Sequence, residues 1–226
     1  MPDGAHNPRD QFEQHLSSLR RRLAREAASA VEMLEEAVEA LFMLDAIAAQ
    51  RVRDRDDSVD EEEVRIEEEC FRMLYCQSPV ARDFRQIAFI LKVNADVERV
   101  ADHATSIAKV TQRLVGEIDA SVLPTSLREL GERVPRTCHV LLRAMMDRDL
   151  EGARALVQRD RTIDTLYERL FDETVDLMKR TPDYAAAGLL IHRAGRELER
   201  IGDLMANIAE DVIYLVTGSI VRHATD

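Results

Sequence analysis

The chain has 226 residues, of which 46% are apolar, 4% aromatic and 33% charged. This apolar content is large enough to bury a core and argues against intrinsic disorder. The formal net charge of −12 argues against sequence-independent binding to nucleic acid or to an anionic membrane face, because both attract basic surfaces. The scarcity of Gly, Pro and aromatic residues beside many Ala, Leu, Glu and Arg residues predicts an all-α fold.

Apolar residues recur in steps of three and four along most of the chain, as the buried faces of amphipathic helices do. We predict three long helices on each side of a linker over 116–125, with a polar joint over 51–57 between the first two. The predicted helices cover about 11–50, 59–77, 79–115, 126–148, 150–180 and 184–217.

The two halves of the chain resemble each other, which indicates an internal duplication. The pattern Asp-x-x-Val-Asp at 56–60 recurs as Asp-x-x-Ile-Asp at 160–164, at an offset of 104 residues, and Asp45 matches Asp149 at the same offset. Glu-Arg-Val-Ala-Asp at 98–102 recurs as Glu-Arg-Ile-Gly-Asp at 199–203, at an offset of 101. We therefore predict two tandem three-helix bundles made of six long antiparallel helices, the first over 11–115 and the second over 126–217.

Each half carries two pairs of acidic residues at four-residue spacing, which places both members of a pair on one helix face. Like charges at that spacing destabilise a helix by roughly 0.2–0.5 kcal/mol, and a cation held between neighbouring helices would compensate. Oxygen-only ligands suit hard ions such as Mg, Ca, Mn or iron. The candidate metal ligands are Asp56, Asp60, Glu98 and Asp102 in the first half and Asp160, Asp164, Glu199 and Asp203 in the second.

The same acidic pairs also fit an ordinary solvated helix surface. A third of the chain is charged, and Arg99 or Arg200 is placed to neutralise a neighbouring carboxylate. Spacing alone leaves both interpretations open. The candidate outer-shell groups near a metal are Glu63, Glu67, His103 and Asn207.

No candidate nucleophile emerges from the remaining side chains. Cys70, Cys76 and Cys138 lack Cys-x-x-Cys spacing, and we interpret them as reduced, buried thiols. No His follows a Glu by three residues, which excludes the Glu-x-x-His pattern of di-iron bundles, and no phosphate loop or nucleophile elbow is recognisable. The N-terminus lacks a signal-peptide pattern and no run of 18 apolar residues occurs, so a cytoplasmic location is predicted.

Three stretches of the sequence resemble the signatures of the PhoU family. They are Gln-Ser-Pro-Val-Ala-Arg-Asp-Phe-Arg at 77–85, Ala-Asp-Val-Glu-Arg-Val-Ala-Asp-His at 95–103, and Leu-Glu-Arg-Ile-Gly-Asp at 198–203 followed by Asn-Ile-Ala-Glu at 207–210. The resemblance extends over about residues 16–215. It implies that the eight acidic ligand candidates bind divalent or trivalent metal ions, with iron, Mn, Mg and Zn as candidates. Ala101, Ser106 and Leu204 replace the Gly, Asn and His that are common in the family.

The resemblance also implies a function: a non-enzymatic, cytoplasmic regulator of phosphate uptake. Such a protein would be an adaptor between the ATPase subunit of the Pst phosphate ABC transporter and a sensor histidine kinase, and a negative regulator of phosphate-responsive genes. Independently of the resemblance, long amphipathic helices often leave apolar surface to cover, so we also expect a homodimer. The acidic net charge predicts no nucleic-acid binding, and the lack of a long apolar run predicts no membrane insertion. Two alternatives remain, a carboxylate-bridged metalloenzyme, which needs an open coordination position and an acid/base group, and a purely structural helical scaffold.

Overall fold

The computed structural model describes residues 8–77, 79–158 and 161–219, and in these ranges the chain forms helices and no β-strand. The α-helices are α1 (Pro8–Met43), α2 (Ala46–Gln77), α3 (Ala81–Leu114), α4 (Thr125–Asp147), α5 (Leu150–Gln158), α6 (Arg161–Arg180) and α7 (Ala185–Thr217). Short 3₁₀ turns at Ala120–Val122 and Pro182–Tyr184 precede α4 and α7. The all-α prediction is confirmed. Over the same ranges, no helix has the length and apolar character that crossing a membrane requires.

The first helical hairpin turns at Leu44 and Asp45, and the joint predicted over 51–57 is wrong because those residues lie inside α2. Leu44 adopts a left-handed backbone with φ of +50°. The Asp45 side chain accepts hydrogen bonds from the backbone N–H groups of Ile47 and Ala48, at 2.8 and 3.0 Å. Asp45 thus caps α2, and the charged residues of 51–57 belong largely to the solvent-facing side of a continuing helix.

The second half of the chain repeats this turn 104 residues later. Arg148 has φ of +52°, and the Asp149 side chain accepts two backbone hydrogen bonds from the first turn of α5, at 3.1 and 3.0 Å. The backbone N–H of Asp45 donates to the carbonyl of Ala40 and that of Asp149 to the carbonyl of Ala144, both at 2.9 Å. The same turn at the same offset is what a duplicated unit predicts.

We expect Asp45→Ala and Asp149→Ala each to lower the free energy of unfolding by about 1 kcal/mol, because each removes a helix N-cap. Urea denaturation followed by circular dichroism would measure the loss. Asp172→Ala, at an exposed position of α6, is the control and should change the free energy by less than about 0.5 kcal/mol. Losses no larger than the control's would mean that the caps do not stabilise the hairpins.

The helices form two bundles that pack side by side through α3 and α7, the last α-helix of each. In one bundle α1, α2 and α3 contact one another, in the other α4, α5 and α6 surround α7, and α3 packs against α7 with a smaller contact between α1 and α4. One continuous hydrophobic core runs through both bundles. Helices α5 and α6 together cover the predicted helix over 150–180, and residues 159–160 lie outside the described ranges. The exact bundle boundaries at 11–115 and 126–217 stay a prediction.

The three cysteines are free thiols, but they are not all buried. Cys70 and Cys138 lie in the core as predicted, and the Cys138 sulfur lies 3.1 Å from that of Met205. The prediction for Cys76 is wrong because this residue is exposed in the last turn of α2, next to Tyr75, which is 88% exposed. At this end α2 extends past the core that buries its earlier turns.

Candidate functional site

The four acidic ligand candidates of the first half line the interface between α2 and α3. Asp56 and Asp60 lie one turn apart on α2, and Glu98 and Asp102 lie one turn apart on α3. The hydroxyl of Thr105 on α3 donates a 2.9 Å hydrogen bond to Asp56, which ties the two helices together. The structure therefore brings these four side chains to one face, which we call the first acidic face.

The carboxylates of the first acidic face raise one another's pKa. Burial, followed by the charges of Asp102 and Asp60, raises the pKa of Glu98 from 4.5 to about 7. Burial, followed by the charges of Asp56 and Asp102, raises the pKa of Asp60. Burial also raises the pKa of Asp56, although the hydrogen bond from Thr105 opposes it. Such mutual repulsion favours either protonation or a bound cation.

A fifth carboxyl group, which the spacing of the acidic pairs does not reveal, lies on α1 close to this face. Glu26 is only 4% exposed, and neither of its oxygens has a hydrogen-bond partner among the described residues. Burial, followed by the charges of Glu62 and Glu63, raises its pKa from 4.5 to about 8. The sequence does carry a signal for Glu26, because it lies on the apolar stripe of α1 between Leu23 and Ala30.

The two outer acids proposed for the first face differ in exposure. Glu67 is exposed, whereas Glu63 is partly buried, and burial followed by the charge of Glu67 raises the pKa of Glu63. Asn94 of α3 is fully buried and donates a 2.9 Å hydrogen bond to the backbone carbonyl of Glu63. This bond holds α3 against α2 about one turn beyond Asp60 and Glu98.

The second acidic face is formed by α6 and α7. It contains Asp164 of α6 with Glu199 and Asp203 of α7, and Asp160 lies outside the described residues. Burial, followed by the charge of Asp203, raises the pKa of Glu199. Burial raises the pKa of Asp203, and the charge of Arg200 opposes this. The Nε atom of Arg200 lies 3.8 Å from a Glu199 oxygen, so one guanidinium partly neutralises this face.

The two acidic faces are therefore unequal, although the duplicated motifs predict equivalent sites. At the offset of 104 residues, the acids Glu26, Glu63 and Glu67 of the first half correspond to Leu130, Tyr167 and Phe171 in the second. The first face thus has three further carboxyl groups in positions where the second face has apolar or aromatic side chains.

Among the described residues, the other two outer-shell candidates make no hydrogen bond to these faces. His103 points to α7, where its Nδ1 atom lies 2.7 Å from a Glu197 oxygen. Asn207 is exposed one turn after Asp203. Across 8–77, 79–158 and 161–219, no three or more His, Cys, Asp or Glu side chains form a group that could hold a metal ion. By charge and atom type the acidic faces fit a hard cation, but the side chains would have to turn toward a common point, and metal binding stays a prediction.

Comparison with known proteins gives the family. The family model described as "PhoU domain" matches residues 23–111 and again 127–212. A "Phosphate-specific transport system accessory protein PhoU homolog" of Pseudomonas aeruginosa is 36% identical over 218 residues, which cover 96% of this chain and 90% of that protein.

Solved structures agree with the sequence comparison. The crystal structure of PhoU from Pseudomonas aeruginosa matches with a TM-score of 0.86 and 35% identity, covering 92% of this chain and all of that one. The crystal structure of the phosphate transport system regulatory protein PhoU from Streptococcus pneumoniae matches with a TM-score of 0.84 and 28% identity. The match covers 93% of this chain and 99% of that one. The chain, with two matched domains and a shared fold over nearly its whole length, belongs to the PhoU family.

Proposed function

We propose that this protein is an accessory regulator of a phosphate-specific transport system and does not itself catalyse a reaction. The observation that carries this proposal is the match over 96% of the chain to a relative named as an accessory protein of such a system. The match in fold to a phosphate transport system regulatory protein supports it as well. The family relatives are named for accessory and regulatory roles rather than for an enzymatic activity.

More specifically, we propose that the protein is a cytoplasmic adaptor between the transporter's ATPase subunit and a sensor histidine kinase. Through this link it represses phosphate-responsive genes when phosphate is plentiful. Support for a protein partner comes from exposed aromatic side chains at one end of the α2–α3 hairpin. Phe71 and Tyr75, one turn apart near the end of α2, are 46% and 88% exposed, and Phe84 near the start of α3 is 55% exposed. Aromatic side chains are enriched in the buried cores of protein interfaces.

We further propose that the two acidic faces bind hard metal ions with a structural or regulatory role. The ligands would be the eight acids named above, with Asp160 taken from the sequence alone. A bound cation would hold α2 against α3 and α6 against α7 by neutralising carboxylates that otherwise repel one another. Self-association as a homodimer is proposed as a second use of the exposed apolar surface.

Deleting the gene is expected to derepress a phosphate-responsive reporter in phosphate-rich medium, because the repressing adaptor is then absent. The wild-type gene supplied in trans should restore repression. An unchanged reporter in the deletion strain would contradict the proposed function.

The same strain tests the aromatic surface. A Phe71→Ala, Tyr75→Ala double variant should fail to restore repression at normal protein level, since the few interface residues whose truncation costs at least about 2 kcal/mol of binding are enriched in residues such as Tyr. Phe171→Ala, at a position of α6 that is 54% exposed, is the matched control and should restore it. Full repression by the double variant would mean that repression does not require this aromatic surface.

A further inference from the structure

A surface pocket with four arginine side chains lies at the junction of the two bundles. It measures about 430 Å³ and is lined by Arg99 and His103 of α3 and by Arg193, Arg196, Glu197 and Arg200 of α7. The α7 residues recur at steps of three, one and three, which places them on one helix face, and the two α3 residues lie one turn apart. The pocket thus straddles the packed pair α3 and α7.

The only carboxylate in the lining is Glu197, and it is already engaged. His103 Nδ1 lies 2.7 Å from one Glu197 oxygen, and Arg193 Nε lies 3.6 Å from the other. One carboxyl group, Glu197, therefore faces four guanidinium groups in this lining, in a chain whose net charge is −12.

The arginines make only long contacts with the acids around the pocket. Arg99 lies 3.5 Å from Asp96, and Arg200 lies 3.8 Å from Glu199. By contrast, Arg22 and Glu62 on neighbouring helices are 2.8 Å apart. Arg196 has no ion pair within the described parts of the chain. Most of the guanidinium N–H donors in the pocket therefore lack a short acceptor, and their like charges repel one another.

We propose that this arginine pocket binds a phosphate group, supplied either by inorganic phosphate or by a small phosphate ester such as a nucleotide. The planar guanidinium group presents N–H donors in a fixed fork that matches phosphate oxygens, often in pairs. The lining contains no apolar or phenyl side chain for a base or a sugar, so the phosphate group is the part that is recognised. The proposal does not depend on the transporter and kinase partners proposed above.

A phosphate group bound there would connect the two bundles. Arg99 belongs to the first bundle, and Arg193 and Arg196 belong to the second. Binding neutralises charges that repel across the junction, so we expect it to hold α3 and α7 together more tightly.

The test uses the double variant Arg193→Gln, Arg196→Gln in the full chain. Both positions lie outside the acidic motifs, so the candidate metal ligands are unchanged. The matched control is Arg133→Gln, Arg136→Gln, which removes the same charge at the same spacing from exposed positions of α4. Metal-free protein, prepared with a chelator and checked by elemental analysis, excludes binding through metals on the acidic faces. Circular dichroism and thermal melting verify that both variants fold.

Isothermal titration calorimetry at low salt then compares inorganic phosphate, ATP and sulfate. Wild type is expected to bind phosphate or ATP saturably with a Kd below about 1 mM. The pocket variant should bind the same ligand at least tenfold more weakly, and the control variant should stay within about twofold of wild type. Tighter binding of ATP than of phosphate would identify an ester as the source, and the reverse would identify the free ion. Absence of saturable binding to wild type, sulfate affinity equal to that of the phosphate ligands, or equal losses in both variants would overturn the proposal.

Discussion

Replacing Glu26 with Leu is expected to stabilise the metal-free protein by about 3–5 kcal/mol at pH 9 and by far less near pH 4.5. Glu26 is buried without a hydrogen-bond partner among the described residues, and burial together with neighbouring acids raises its pKa to about 8. Leu occupies the corresponding position, Leu130, in the core of the second bundle. The variant therefore gives the first bundle the side chain that the second bundle already accommodates.

The pH dependence follows from the direction of the Glu26 shift. Because the folded-state pKa lies above the ordinary value of 4.5, folding takes up a proton between pH 4.5 and about 8. The wild type therefore loses stability relative to the variant as the pH rises through this window, and the difference becomes constant above it. Between pH 4.5 and pH 9 the shift corresponds to roughly 4 kcal/mol.

Urea denaturation at several pH values between 4.5 and 9, in the presence of a chelator, would measure this difference. Glu26→Gln isolates the charge, since it keeps the shape of the side chain, and should recover most of the pH-dependent gain. Glu39→Gln changes an exposed acid on the same helix and should show almost no gain. A stability difference that does not change across the window would mean that Glu26 does not titrate with a raised pKa.

Neutralising Asp60 and Asp102 together, as Asp60→Asn, Asp102→Asn, is expected to weaken Mn²⁺ binding at the first acidic face by more than about 100-fold. Changing even the partners behind metal ligands commonly costs 10–100-fold in affinity, and these two residues are proposed as direct ligands. The corresponding change at the second face, Asp164→Asn, Asp203→Asn, should remove a weaker site. The reason is that affinity rises with the number of charged ligands, and Arg200 offsets charge at the second face.

The affinity of the first face for Mn²⁺ should also rise by about tenfold between pH 6 and pH 8. A metal binds the ionised carboxylate, and the pKa of Glu98 is raised to about 7, so binding at pH 6 must displace a proton. Titration of chelator-treated protein with Mn²⁺, checked by elemental analysis, measures both effects. Asp172→Asn, Asp176→Asn, an exposed pair at the same four-residue spacing, is the control. Equal metal content in all the variants would reject these acids as ligands.

The helices were predictable because their signal is local. Long apolar stripes place the ends of most helices within a few residues of the structure, and the Pro residues near 79 and 182 mark the approach to α3 and α7. The end of α1 was missed because the polar stretch 51–57 looks like a joint. The actual turn depends on one cap, Asp45, and a left-handed Leu44.

The acidic faces were only partly predictable. Pairs at four-residue spacing are visible within one helix, and the structure brings Asp56 and Asp60 of α2 to the same interface as Glu98 and Asp102 of α3. The spacing of acidic pairs did not identify Glu26, because no second acid lies four residues away on the buried stripe of α1. Its influence arises from charges on α2, which helical spacing in α1 does not reveal.

By itself, the sequence determined the helical class, the duplication and the family, since each depends on residue types and spacings within one or two adjacent helices. Only the tertiary structure decided that the buried Glu26 lies close to the first acidic face and that Arg99 shares a pocket with Arg193 and Arg196. Helical periodicity assigns a side chain to a face of its own helix. Which face of another helix it meets depends on how side chains distant in the chain pack together.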